Sequence, residues 1–81
     1  IISDEIYEDL VFEPNVFHPL ATISPKIPLI TCGGLGKRFL LPGWRIGWVL
    51  IHDPTEHALN EIREALIDLA GLILGANSVV Q

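Results

Sequence analysis

The stretch Cys32-Gly33-Gly34-Leu35-Gly36-Lys37-Arg38-Phe39-Leu40-Leu41-Pro42-Gly43-Trp44-Arg45-Ile46-Gly47-Trp48 links two short apolar runs, Leu29-Ile30-Thr31-Cys32 and Ile46-Gly47-Trp48-Val49-Leu50-Ile51. Each run has strand length, and the first ends at Gly33-Gly34, which predicts two strands. The second is apolar at consecutive positions, as expected of a strand buried on both faces in an α/β sheet. Between them, glycines predict a tight turn that lets a ligand approach the backbone closely. Lys37 follows three glycines within four residues. A lysine held there, partly desolvated and near Arg38 and Arg45, is placed to act as a nucleophilic amine. Arg45 precedes the second strand, where a guanidinium can grip a phosphate bidentately. An amine beside such an arginine suits an aldehyde ligand that carries a phosphate handle. The competing reading is an ordinary glycine turn with a solvated lysine. A nucleotide-type phosphate loop does not fit, because Arg38 rather than Ser or Thr follows Lys37.

Outward from this stretch the chain still reads as α/β. Ile1-Ile2-Ser3-Asp4 predicts the end of a buried strand that delivers a carboxylate at its C-terminal edge. Four of the six prolines fall within residues 13–28, which predicts loop and short extended structure. Downstream, Asp53-Pro54-Thr55-Glu56 has the order of a capping box: an N-cap carboxylate, proline at the first helical position, then glutamate. Leu59, Ile62, Leu66, Leu69 and Ile73 continue as one stripe at helical spacing, and Gly75 is the expected stop.

Composition narrows the classes. The chain has 81 residues, 49% of them hydrophobic, with a mean hydropathy of +0.45. That is too apolar for a free-standing domain of this size, so further chain is expected to cover part of the surface. The absence of methionine and the start at Ile1 agree with an internal fragment of one large domain, residues 1–81, with no second domain. Net charge is −5, and the five basic residues form no continuous face, so nucleic acid is not an expected partner. No apolar run reaches the roughly 18–20 residues that span a bilayer, so no membrane contact is expected. His18, His52 and His57 lack metal-ligand spacing, and no metal is expected. Cys32, the single cysteine, suits a small buried position and a reducing compartment, with the cytoplasm expected and the mitochondrion as alternative.

The run Gly34-Leu35-Gly36-Lys37-Arg38-Phe39-Leu40-Leu41-Pro42-Gly43-Trp44-Arg45-Ile46-Gly47 resembles the lysine signature of class-I, fold-type-I, pyridoxal-phosphate-dependent aminotransferases. Its wording is most similar to the tyrosine aminotransferase branch of that family. Upstream, Ser3-Asp4-Glu5-Ile6-Tyr7 resembles the family's strand-end Asp with a Tyr three residues later. Two separated motifs in the right order are more specific than either alone. The resemblance implies the fold of the family's large domain, a mixed, mainly parallel sheet flanked by helices, and pyridoxal 5'-phosphate as cofactor. It implies that Lys37 bonds the cofactor's aldehyde and then moves the proton between substrate Cα and the cofactor's C4′. Asp4 would pair with the pyridine nitrogen, Tyr7 would hydrogen-bond the ring's phenolic oxygen, and Arg45 would clamp the phosphate. A homodimer is implied, with an amino acid and a 2-oxo acid as substrates: tyrosine and 2-oxoglutarate giving 4-hydroxyphenylpyruvate and glutamate.

Each role has a structural alternative. Asp4 can cap a turn, Tyr7 can pack half-buried, and Trp44 and Trp48 read as packing residues rather than stacking partners. One departure stands out. Many family members carry Ser or Thr three or four residues before the lysine, where this chain has Gly34 and Gly33. The phosphate loop, the ring-stacking aromatic, the Asn that accompanies the Asp and the substrate-binding arginine all fall outside these residues, so the segment alone is expected to be inactive. The alternatives are another class-I enzyme, such as an alanine or kynurenine aminotransferase or a carbon–sulfur lyase, and a non-catalytic aminotransferase-like regulatory domain.

Overall fold

Leu29, 1% exposed, is the one large side chain sealed from solvent among the described residues, and it opens the central strand of a three-stranded sheet. The computed structural model describes residues 1–75. Strands β1 (Ile2–Asp4), β2 (Leu29–Gly34) and β3 (Gly47–His52) lie side by side in chain order. Helical pieces are short: α1 (Leu20–Ile23), α2 (Leu35–Arg38), a 3-10 turn (Pro42–Trp44) and α3 (Asn60–Leu69), which runs on as a π-turn (Ala70–Leu74). The sheet is mixed. β1 pairs with β2 in parallel, Ile2 opposite Ile30 and Asp4 opposite Cys32. β2 pairs with β3 antiparallel, from Leu29 opposite His52 to Gly34 opposite Gly47.

This register has a functional consequence. The parallel pair and the antiparallel return bring the C-terminal ends of β1 and β2 and the start of β3 to one edge of the sheet. Ligands of open α/β sheets habitually bind outside such carboxyl ends. Smaller ties hold the register. The N-terminal ammonium of Ile1 donates to the Pro28 carbonyl at 3.0 Å, and the Ile30 N–H donates to the Ile1 carbonyl at 2.9 Å. At the far end of β3, His52 Nε2 hydrogen-bonds the Pro25 carbonyl at 2.8 Å.

Both predicted strand runs form strands, within a residue or two of the expected ends, but their burial differs from expectation. Ile2 is 75% exposed, and Trp48, Val49 and Leu50 on β3 are exposed. The described chain is a slab of 42 × 37 × 15 Å, and no helix is laid extensively against either face of the sheet. An apolar strand is buried only when a second layer covers it, and here only the central strand has neighbours on both sides. Cys32, expected to be buried, is accordingly half-buried on β2.

The third helix also begins later than the capping box suggested. Asp53 Oδ1 accepts from both the Thr55 N–H at 3.1 Å and the Thr55 hydroxyl at 2.7 Å, closing a turn on itself. The Thr55 hydroxyl oxygen in turn accepts from the N–H groups of His57 and Ala58. Glu56 sits at φ +63°, so the chain cannot be helical there. Local side-chain bonds of this kind compete directly with helix start. Asp53 still reaches the helix, because Oδ2 accepts the Leu59 N–H at 2.8 Å just before α3. Gly75 ends the helix as expected, at φ +59°.

Candidate active site

Lys37 and Arg45 line one cleft of about 300 Å³ at the carboxyl edge of the sheet. Its floor is nearly bare of side chains, because Gly33, Gly34, Gly36 and Gly47 supply it. Ile6, Pro42 and Ile46 form apolar walls. The bareness is enforced by close approach. A β-carbon on Gly34 would stand 3.0 Å from the Ile46 carbonyl oxygen and 3.2 Å from Ile6 Cδ1. One on Gly47 would stand 3.0 Å from the Gly33 carbonyl oxygen. One on Gly33 would meet Trp48 Nε1 at 2.5 Å. The indole of Trp48 lies across Gly33, its cross-strand partner, which bears out the packing reading of Trp48. The same crowding gives a physical reason for glycine at both positions where many class-I members carry a hydroxyl residue.

Lys37 lies in the single turn of α2 rather than in an open glycine loop. Gly33 and Gly34 extend β2, and the turn begins at Leu35, whose N–H donates to the Ile46 carbonyl at 3.1 Å. Lys37 is exposed, so the partial desolvation expected of it is not realised within these residues. Its Nζ stands 5.7 Å from the centroid of the Tyr7 ring, within cation–π range. Tyr7 is 56% exposed and therefore not the half-buried packing residue of the structural alternative.

Asp4 ends β1, and its Oδ1 accepts the Ile6 N–H at 3.2 Å. That is a turn cap, and it orients the carboxylate at the strand end beside the cleft wall formed by Ile6. Asp4 and Tyr7 themselves do not line the cleft. Arg45 adopts a left-handed conformation, φ +51°, after the 3-10 turn, and its Nη1 donates to the Pro42 carbonyl at 3.4 Å. Both residues of that bond line the cleft. Among the described residues neither Lys37 nor Arg45 is in an ion pair with a carboxylate.

Sequence reasoning did not single out Ile6 or Gly47 as part of the site. Ile6 carries no signal beyond lying between Asp4 and Tyr7, and Gly47 follows Arg45 within the decisive stretch. The arrangement offers an amine and a guanidinium across a flat, backbone-lined floor. It suits a planar ligand that bears a carbonyl at one end and an anion at the other.

Comparisons with known proteins point the same way. The chain matches the family "Aminotransferase class I and II" over residues 1–81. It is 54% identical to tyrosine aminotransferase of Bos taurus over 81 residues, all of this chain and 18% of that protein. It is 52% identical to tyrosine aminotransferase of Homo sapiens over the same 81 residues, again 18% of that protein. Nicotianamine aminotransferase 1 of Oryza sativa is 46% identical over 67 residues, 83% of this chain and 13% of that protein. Among solved structures, an aminotransferase from Escherichia coli superposes with a TM-score of 0.81 at 34% identity, covering 94% of this chain and 19% of that one. The chain thus spans under a fifth of the length of these relatives.

Proposed function

The chain belongs to the class I and II aminotransferase family, and from that premise we propose that the protein carrying this segment is a pyridoxal-phosphate-dependent aromatic-amino-acid aminotransferase. The observation that carries the reading is one cleft with Lys37 and Arg45 on its walls, a glycine floor, and Tyr7 next to the lysine amine. The groups in and beside the cleft fit the cofactor: within the lining an amine for the aldehyde and a guanidinium for the phosphate, and outside the lining the strand-end carboxylate of Asp4 for the ring nitrogen. The cleft volume of about 300 Å³ leaves room for a flat ring. When bound, pyridoxal phosphate supplies an electron sink for charge that develops at the substrate's α-carbon.

The chain's own residues then divide the work. Lys37 would hold the cofactor's aldehyde end with its amine and, with the substrate amine in place, would carry the proton at the substrate Cα. Arg45 would anchor the phosphate through its guanidinium N–H donors. Asp4, its carboxylate oriented by the Ile6 N–H, favours a protonated ring nitrogen through its negative charge. Tyr7 would donate a hydrogen bond to the ring's phenolic oxygen. We read the 81 residues as part of the cofactor-binding large domain of a homodimer.

Tyrosine as amino donor is supported by the names of the relatives at 54% and 52% identity, and 2-oxoglutarate is the acceptor that the family resemblance implies. The rice relative at 46% identity favours a second reading, transamination of a different amino donor on the same cofactor site. Borohydride reduction of the full-length protein with pyridoxal phosphate, followed by peptide mapping, tests the site. Lys26, the only other lysine of this segment, is the internal control. Selective labelling of Lys37 is the expected result; labelling of Lys26 alone, of both equally, or of neither would sink the cofactor reading. Comparing turnover of tyrosine with that of alanine and nicotianamine then separates the two substrate readings.

A further inference from the structure

We propose that Arg38 is a positioning residue, tying the helical turn that carries Lys37 to the turn that carries Tyr7 by pairing with Asp9 and Glu8. Arg38 Nε lies 2.7 Å from Asp9 Oδ2, and Nη1 lies 3.6 Å from Glu8 Oε1. The two acids are presented by a tight segment after β1. The Glu8 N–H donates to the Glu5 carbonyl at 3.1 Å, and the Leu10 N–H donates to the Tyr7 carbonyl at 2.9 Å. These two bonds hold Tyr7, Glu8 and Asp9 in one compact turn segment. On the other side, α2 is a single turn, held by Phe39 N–H to the Leu35 carbonyl and by Leu35 N–H to Ile46. The second of these bonds fastens α2 to the β3 side. Among the described residues no backbone hydrogen bond joins α2 to the Tyr7 turn. The connection is made by side chains: the Arg38 pairs and the contact of Lys37 with the Tyr7 ring.

Helical geometry makes Arg38 suited to this task. Successive residues of a helix point about 100° apart, so Arg38 can reach sideways to the acids while Lys37 faces the cleft. The guanidinium also lies 5.4 Å from the Phe39 ring, which limits how freely its stem swings. Both partners of the closer pair are nearly half exposed, 46% and 45% at their side chains, so the tether is modest in strength. A modest tether still matters where a displacement of about 1 Å at a reacting group costs rate.

The proposal rests on the reading of Lys37 as the cofactor's lysine, and its test keeps the two apart. In the full-length protein, Arg38→Gln, Asp9→Asn, their combination and Arg38→Lys are compared by the rate of reductive labelling of Lys37 with pyridoxal phosphate and borohydride, each normalised to Lys26. Arg38→Gln and Asp9→Asn are each expected to lower the Lys37-to-Lys26 ratio about two- to five-fold, the range of an exposed ion pair. The double variant is expected to lose no more than the worse single one, and Arg38→Lys to recover part of the ratio. An unchanged ratio in all variants, or losses that multiply in the double variant, overturns the proposal. Should Arg38→Gln fail to fold, Asp9→Asn and Arg38→Lys carry the same comparison. If the unsubstituted protein shows no preference for Lys37, the cofactor reading itself falls and takes this proposal with it.

Discussion

The amine of Lys37 stands 5.7 Å over the centroid of the Tyr7 ring, although Tyr7 follows the first strand and Lys37 follows the second. The contact exists because β1 and β2 run parallel with Asp4 opposite Cys32, which brings the segments after both strands to the same edge. Replacing Tyr7 separates its ring from its hydroxyl. Tyr7→Phe keeps the ring near Lys37 and removes only the hydrogen bond proposed to the cofactor. Loss of such a bond to a charged group costs about 1.5–3 kcal/mol, so kcat of the full-length protein is expected to fall roughly ten- to a hundred-fold. Tyr7→Leu should fall further, by about the few-fold that an exposed cation–π contact contributes. Steady-state kinetics of the two variants side by side make the check, and equal kcat for Tyr7→Phe and the unsubstituted protein would remove Tyr7 from the site.

Arg45 holds its place through a left-handed backbone and a bond to the Pro42 carbonyl. A lysine there keeps one positive charge but loses the forked pair of donors. Arg45→Lys is therefore expected to weaken cofactor binding by roughly ten-fold and Arg45→Gln by about a hundred-fold, on the scale of one or two charge-assisted bonds. Titration of the cofactor-free protein, followed by quenching of tryptophan fluorescence, measures both. If both variants bind as tightly as the parent protein, the phosphate is held elsewhere.

Gly33 is expected to be intolerant of the serine that many class-I enzymes have nearby. A β-carbon there would meet Trp48 Nε1 at 2.5 Å and Cε2 at 2.8 Å, so the indole must move. Gly33→Ser should destabilise the protein by about 1–3 kcal/mol, the usual cost of overpacking. Combining it with Trp48→Leu should recover most of that loss. Thermal unfolding of the single and double variants reports the outcome, and two additive losses would mean that Trp48 is not the obstacle.

Acid should loosen the segment before α3. The hydroxyl of Thr55 donates to the Asp53 carboxylate and, with the N–H groups of Leu59 and Thr55, holds its pKa below the ordinary value of 3.8. A carboxyl with a lowered folded-state pKa contributes stability that is complete above its unfolded value. That stability is lost in the acidic window where pH falls below the ordinary value of 3.8 and through the lowered one. Thr55→Val removes the largest of these causes and should move the acid transition of this segment to higher pH. Hydrogen exchange of residues 57–62 measured across that window provides the check; an unchanged midpoint would mean that Thr55 does not hold the carboxylate.

Most of the secondary structure was legible in the sequence because its signals are local. Short apolar runs bounded by glycine become β2 and β3, and Gly75 stops the last helical stretch. The position of α3 was not legible, since Asp53 and Thr55 can either cap a helix or close a turn on themselves. Both choices satisfy the same donors, and the turn took precedence. Burial was misjudged for a related reason. An apolar run shows that a strand can be covered, whereas what covers it belongs to other layers.

By itself the sequence determined the mixed α/β character, the family, and the identity of the amine, guanidinium, carboxylate and phenol proposed for the site. The Lys37 motif and the Asp4-to-Tyr7 motif are each contiguous, so their residue types and spacing carry the chemistry. Only the tertiary structure decided that Lys37 and Arg45 share one cleft, that Tyr7 lies under the lysine, and that Arg38 pairs with Asp9 and Glu8. Those relationships depend on strand order and register. Residues remote in the chain fix them through hydrogen bonding between strands and close packing at Gly33, Gly34 and Gly47, which no local pattern encodes.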